Sequence, residues 1–595
     1  MMKPKRIAPI LWLALAAAAT AQTDRPAQNA PKPKPDAIFT HGNIYTGVVD
    51  AAASLGGNKR AEALAVVGDR ILAVGARDEI MKLKGPDTKI VDLGGHFVMP
   101  GFNDAHMHMA SAGLQKVNVS LVGVKTLEEF RERILAKVET AAPGEWIVGG
   151  GWDETLWPVK VLPTRWDLDE VAGGHPIYLD RVDGHIGVAS TNALQRAGIT
   201  VATRDPEGGK IDRDESGTPN GILREKAKDA VHAVMPPPTH QKRRQGIELA
   251  LADLASHGVT SAQDYSQWED FQIYEELERE GKLTARISEW LPFDDSLETL
   301  NRKRASHPAS DNMLHTGMLK GFMDGSLGSK TAALLAPYSD DPGNSGLPQY
   351  EAAKLNAMTK ERVLAGYQIG FHAIGDKGVQ LALDAFAEAE KAAKEAKGKA
   401  AAGSANNSDD YRFRIEHAQV TTPQQILRFK ELKVIASMQP NQLLTDMNWA
   451  ESRLGPDRAE HSYAWAEFLR HGVVLALGTD YPVEPITPFR GIYSALTRRS
   501  EDGNKGYFPE GKLKKSFVPA QVLTVEQAIA AYTTGAAFAE FAEKQKGKLA
   551  PGMLADFVVL DQDITAAPPP KILKTNVLRT VVGGKTVYNN ESLSH

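Results

Sequence analysis

The chain has 595 residues, 42% of them hydrophobic, with a formal net charge of -5 and no cysteine. That length supports a large core and more than one domain. The mild charge and the lack of a basic block interleaved with aromatics point away from nucleic acid and acidic membrane surfaces, and the missing cysteine excludes disulfides and a cysteine nucleophile.

Taken in order, Lys3, Lys5 and Arg6 precede an apolar run from Ile7 to Ala18 that is too short to span a membrane, and Ala19-Thr20-Ala21 forms a small-x-small cleavage pattern. Residues 1–21 are therefore expected to be a signal peptide. The mature protein is expected to be periplasmic or secreted, with no stable membrane insertion after cleavage. Residues 22–35, rich in Pro, Lys and Gln, are expected to be a disordered spacer. Residues 36–97 read as short strands, Ala37–Thr40, Ala63–Val67, Arg70–Val74 and Lys89–Val91, divided by Gly and Asp turns.

From residue 98 to about 545, strand and helix signals alternate, the pattern of a parallel α/β fold. The strand candidates are Phe97–His108, Gly258–Asp264, Thr284–Leu291, Met318–Met323, Tyr367–Ile374, Phe413–Ala418, Val434–Gln439 and Val473–Asp480. This number fits a (β/α)8 TIM barrel, whose functional residues stand at the C-terminal ends of strands. The connection of about 109–257 is too long for a loop and is expected to form an insertion lobe over the barrel mouth, with helical pieces at Thr126–Thr140 and Arg243–His257. Lys394 to Asp410 reads as a surface loop. Residues 546–595 return to strands, Asp556–Asp561, Leu578–Val582 and Thr586–Tyr588. Each chain end alone has too few strands to bury a core, so the two are expected to unite in one small β-sandwich.

Chemistry gathers at the strand ends. His106 and His108 lie two apart on an extended stretch, so both reach one face and one metal ion. Gly370-Phe371-His372, Arg414-Ile415-Glu416-His417 and Leu475-Ala476-Leu477-Gly478-Thr479-Asp480 each end an apolar run on a His or an Asp.

In this order the residues resemble the amidohydrolase superfamily, with its His-x-His on strand one, Lys or Glu on strand four, single His on strands five and six, and Asp on strand eight. The phrase Lys320-Gly321-Phe322-Met323-Asp324-Gly325-Ser326-Leu327-Gly328-Ser329 resembles amidohydrolase family 3, the branch of the N-substituted formamide deformylases. Lys546 to Asp556 also matches, and the resemblance runs from about Asp36 to about Tyr588.

The resemblance implies a divalent metal, zinc first and manganese, iron or nickel after it, as one or two ions. His106 and His108 would hold the more buried ion, and His372 and His417 a second. Two ions about 3.5–4 Å apart share a hydroxide and generate a nucleophile at neutral pH. Asp480 would reach the buried metal and shuttle the proton from the attacking water to the leaving amine; its alternative reading is a turn residue. Lys320 would bridge the ions as a carbamate, or else pair Asp324 or Asp480 as a plain lysine. Glu416 should point away from the metal, and Asp376 closes the loop after His372.

The lobe offers substrate residues. Trp152 and Asp153 lie in a Gly-Trp-Asp phrase, and His185 ends Arg181-Val182-Asp183-Gly184-His185. His185 would stabilise an oxyanion or simply pack in the lobe. Arg224 would grip a carboxylate or pair Glu225, and Trp152 would be pocket wall or core. Where the family has Asn-Ser after this His, the chain has Ser190-Thr191, which bears on the substrate pocket only. The implied function is hydrolysis of an amide-type C–N bond other than a peptide bond, in a small molecule such as an N-substituted formamide, an N-acyl compound or a cyclic amide. The same site would serve an esterase, lactonase, carbamate hydrolase or dipeptidase-like enzyme. A catalytically dead, exported metal- or ligand-binding protein is the third reading, and Asp480 argues against it. Family habit implies a homodimer.

Overall fold

The computed structural model describes residues 33–49, 58–399, 410–502 and 516–590. Its centre is an eight-stranded parallel sheet whose strands follow one another in chain order. They are Phe102–Met107, Val259–Asp264, Arg286–Pro292, Leu314–Phe322, Ile369–Ala373, Arg414–His417, Ile435–Met438 and Leu475–Leu477, here called barrel strands one to eight. Most are buried along their whole length, which is why they read as continuous apolar runs rather than alternating ones. The chain is an α/β protein built on a TIM barrel. The seam between strands eight and one closes at the mouth. Asp480 N donates to His106 O at 2.8 Å, His108 N donates to Tyr481 O at 2.8 Å, and Thr479 N and Oγ1 donate to the buried Asp104 carboxylate.

Phe97-Val98-Met99 is not part of barrel strand one. Phe97–Pro100 is a separate strand, pairing with Asn43–Ile44 on one side and Phe557–Leu560 on the other. It belongs to a six-stranded sheet drawn from both chain ends, so the barrel begins at Phe102, four residues later than 98. A four-stranded sheet of Ala37–Thr40, Ala63–Val67, Arg70–Gly75 and Lys89–Asp92 lies against it, with Phe39 edge-on to Phe557 at 4.9 Å. Arg286, opening barrel strand three, ties this layer to the barrel through a buried fork onto Asp556 at 2.7 and 2.9 Å.

The insertion is shorter than 109–257. Helices Met109–Val117 and His240–Ser256 pack together within the barrel's own core. They touch so closely that a Cβ on Gly113 would lie 2.0 Å from the Gly246 carbonyl oxygen. The lobe proper is a six-stranded sheet between Val119 and Glu225 with its own apolar core.

Three other expectations change. Barrel strand four starts at Leu314, four residues before Met318, because His315-Thr316-Gly317 carries no apolar signal; Lys320 therefore stands near the strand's end. Lys394–Lys399 is helical, the last part of Asp376–Lys399, whose Ala, Glu and Lys are strong helix formers; residues 400–409 lie outside the described residues. Pro35 is already buried, with its carbonyl accepting from Thr88 Oγ1 at 2.7 Å, so the fold takes up the chain just before residue 36. The signal-peptide segment and residues 22–32 lie outside the described residues. No helix among the described residues is long and apolar enough to cross a membrane.

Candidate metal centre

His106 ends barrel strand one and is fully buried. Its Nδ1 donates to Glu416 Oε2 at 2.7 Å, since a carboxylate can only accept. Glu416 is held in turn by Arg414, whose Nε and Nη2 reach its two oxygens at 2.8 and 3.2 Å. His106 Nε2 is thereby the atom that faces the barrel mouth. His108 Nδ1 donates to the Tyr265 carbonyl at 3.2 Å, and His372 Nε2 to the Gly325 carbonyl at 3.1 Å. Each ring thus donates from one nitrogen and keeps a lone pair on the other, the arrangement metal-binding histidines need.

These lone pairs converge. Asp480 Oδ1 stands 3.6 Å from His106 Nε2 and 3.3 Å from His108 Nε2. Ligand atoms of His106, His417 and Asp480 all lie within 4.8 Å of one another. The His417 ring is 4.9 Å from that of His106 and 4.5 Å from that of His372. Lys320 Nζ is 3.2 Å from His106 Nε2 and is not paired with Asp324, which instead caps the amides of Ala333, Ile374 and Gly375. Asp376 accepts from Leu335 N at 2.8 Å and opens the following helix.

Backbone strain marks the same place. His417 has φ 72 and Asp480 φ 63, left-handed conformations that side-chain-bearing residues adopt at a cost.

Whether these groups suit a cation is tested by their own chemistry. Asp480 Oδ1 is buried and receives no hydrogen bond, a costly condition that a cation would relieve. Burial, together with nearby cations, pushes His106, His372 and His417 well below the usual imidazole range, so all three are neutral, the form a metal requires. Burial also pulls Lys320 down to about 8, against the charges of Glu416 and Asp480. The residues present fit a divalent metal.

The amidohydrolase family profile matches residues 89–588. The chain belongs to the amidohydrolase family. It is 34% identical over 565 residues to Protein LONG AFTER FAR-RED 3 of Arabidopsis thaliana, covering 93% of this chain and 91% of that one. It is 26% identical over 570 residues to N-substituted formamide deformylase of Arthrobacter pascens, covering 93% and 98%. It also resembles the crystal structure of an uncharacterized metal-dependent hydrolase from Pyrococcus horikoshii, at 29% identity and a TM-score of 0.68, covering 90% of this chain and 99% of that one. This amidohydrolase is accordingly a metal-dependent hydrolase, and His106, His417 and Asp480 are grouped as a divalent metal requires.

In this amidohydrolase the centre opens into a cavity of about 750 Å³, a size that suits a small molecule. His108, His185, His372, His417 and Asp480 line it, and Asp153 stands in its wall. His185 lies 5.1 Å, ring to ring, from His372, and its Nδ1 bonds Glu225 Oε2 at 3.0 Å. Two substrate assignments need correction. Trp152 is fully buried in the lobe core, edge-on to Phe130 at 6.2 Å, and does not line the cavity. Arg224 does not line it either. Its guanidinium forks onto Asp212 at 2.7 to 3.0 Å and reaches the Ser329 carbonyl, so it grips neither a substrate nor Glu225.

Sequence reasoning missed Gln442, Arg181 and Glu225. Gln442 Nε2 donates to Asp480 Oδ2 at 2.8 Å from a helix that carries no motif. Buried Arg181 binds Asp153, Glu154 and Asp183 at 2.8 to 2.9 Å; its presence in a recognised phrase was the available signal.

Proposed function

We propose that the protein hydrolyses an amide-type C–N bond other than a peptide bond in a small molecule. The observation that carries this is the division of Asp480. One oxygen is buried, without a donor, and faces the histidine lone pairs, while the other is held by Gln442 at the cavity. A carboxylate divided this way can help hold an ion with one oxygen and take a proton with the other.

When bound, a divalent ion supplies a water acidified toward neutrality and a Lewis acid for the carbonyl. His106, His108 and Asp480 would hold one ion, His372 and His417 another, with zinc favoured by neutral imidazoles and carboxylate. Lys320, with its lowered pKa, would offer a free amine that adds to carbon dioxide with loss of one proton, and the resulting carbamate anion would supply oxygen ligands to the centre. Asp480 takes the proton of the attacking water and returns it to the leaving nitrogen. Burial disfavours charge on His185, yet Glu225 and Asp183 raise it overall, so it can donate to the carbonyl oxygen as negative charge develops. The formamide class rests on the name of the Arthrobacter relative and on the resemblance of the Lys320–Ser329 phrase to that branch of the family.

The test is zinc-loaded protein against N-substituted formamides and matched formate esters. Release of free amine, abolished by chelation, supports the reading; ester hydrolysis with no amine from any amide refutes it. We also propose export, on the composition of residues 1–21. N-terminal sequencing of the mature protein should begin at Gln22, and a retained Met1 would contradict this.

A further inference from the structure

In two sequence phrases, Asp324-Gly325-Ser326-Leu327-Gly328-Ser329 in the barrel and Arg181-Val182-Asp183 in the lobe, the two serines and their partner carboxylate have not been connected to the metal centre so far. The fold brings them together. Ser326 Oγ and Ser329 Oγ both donate to Asp183 Oδ2, at 2.6 and 2.7 Å. Arg181 Nη1 donates to the same oxygen at 2.8 Å. Ser326 is 7% and Ser329 4% exposed, so these are bonds in a low-dielectric setting, where an unmet partner is costly.

The other end of the loop touches the metal centre. Gly325 offers its carbonyl to His372 Nε2 at 3.1 Å, which leaves Nδ1 for an ion. Only glycine fits there: a Cβ would lie 2.1 Å from Thr331 Oγ1 and 2.2 Å from Glu225 Oε1. Asp324 pins the loop to the end of barrel strand five by accepting from Ile374 N and Gly375 N at 3.0 and 2.8 Å. A continuous chain of bonds therefore runs from Arg181 and Asp183 through Ser326 and Ser329 to Gly325 and His372.

We propose that Asp183 is a positioning residue for the metal centre: by clamping Ser326 and Ser329 it fixes the Gly325 carbonyl that orients His372, so the ion on the His372 and His417 side depends on the lobe. This rests on His372 being a metal ligand. Outer partners of a ligating histidine commonly account for about 10–100-fold in metal affinity.

The experiment is zinc titration of the full-length, metal-free protein against a chromophoric chelator. The proteins compared are the wild type, Asp183→Ala, and the double variant Ser326→Ala with Ser329→Ala. The double variant leaves Arg181, Asp153, Glu154 and Asp183 intact, so it separates the clamp from lobe folding. The expected result is two zinc ions in the wild type. Both variants should weaken one of them about 10–100-fold, with the other within about twofold, and the double variant should still unfold in one cooperative transition, lowered only by the loss of its two buried hydroxyl bonds to Asp183. Two ions bound equally well by the wild type and the double variant would overturn this inference alone, as would one wild-type ion kept at full affinity by both variants. Equal loss of both ions with a lowered melting temperature would also overturn it, by making the role merely structural. A wild type that binds no zinc overturns the metal centre itself.

Discussion

Glu416→Gln probes how the more buried ion is held. In the native protein Glu416 is fully buried, accepts from His106 Nδ1 at 2.7 Å, and pairs Arg414. The glutamine keeps one acceptor oxygen but loses the charge that sets the ring's tautomer and basicity. A weakening of zinc binding by about 10–100-fold follows, equal to about 1.4–2.7 kcal/mol. Stability should fall as well, because Arg414 is left buried with less than its full countercharge. Breaking a buried pair costs about 3–5 kcal/mol, and the lower end applies because Arg414 also bonds Gln263, the Ala105 carbonyl and Ser437. Chelator competition reads the first effect and urea unfolding of the metal-free protein the second. Zinc affinity equal to the wild type's would refute the argument that Glu416 prepares His106.

Asp480→Asn should keep most bound metal while lowering kcat by about 10²–10⁴-fold, the scale of a lost proton shuttle; elemental analysis and amine release read the two separately, and unchanged turnover would refute the role. Trp152→Ala should cost about 3–5 kcal/mol of stability as a core truncation, and Arg224→Ala about 1–3 kcal/mol for its hydrogen-bonded ion pair. Neither should move KM beyond about twofold in variants that fold, whereas a tenfold KM rise would restore them as substrate residues. Lys320 supplies a pH signature. Its native pKa of about 8 lies below the unfolded value of 10.5, so across that window the unfolded chain holds a proton that the native one has released. Stability of the metal-free, carbon-dioxide-free protein should therefore rise with pH relative to Lys320→Met, by up to about 3 kcal/mol from pH 8 to 10.5. Paired denaturation curves measure it, and parallel pH profiles would contradict the burial argument.

The candidate metal centre was legible because its residues obey local rules. His106 and His108 share a strand face, and His372 and His417 end apolar runs. Lys320 was placed too early because the polar start of barrel strand four hides its first turns of the ladder. The seam of the barrel was hidden too: Phe97–Pro100 is as apolar as a barrel strand, and only pairing with Phe557–Leu560 assigns it to the other sheet. Trp152 and Arg224 were misplaced for a related reason. Gly151 sits at φ +94 where the pairing of this strand shifts register, which decides the face Trp152 takes, and Arg224 meets Asp212 across a hairpin that pairs it with Lys210. Gln442 is set by tertiary packing that has no local signature.

Anomalous diffraction from crystals of the zinc-loaded protein weighs the whole account most directly. A peak about 2.0–2.2 Å from His106 Nε2, His108 Nε2 and an oxygen of Asp480 is the predicted result. Zinc bound only elsewhere, with these side chains still bonded as they are now, would contradict it.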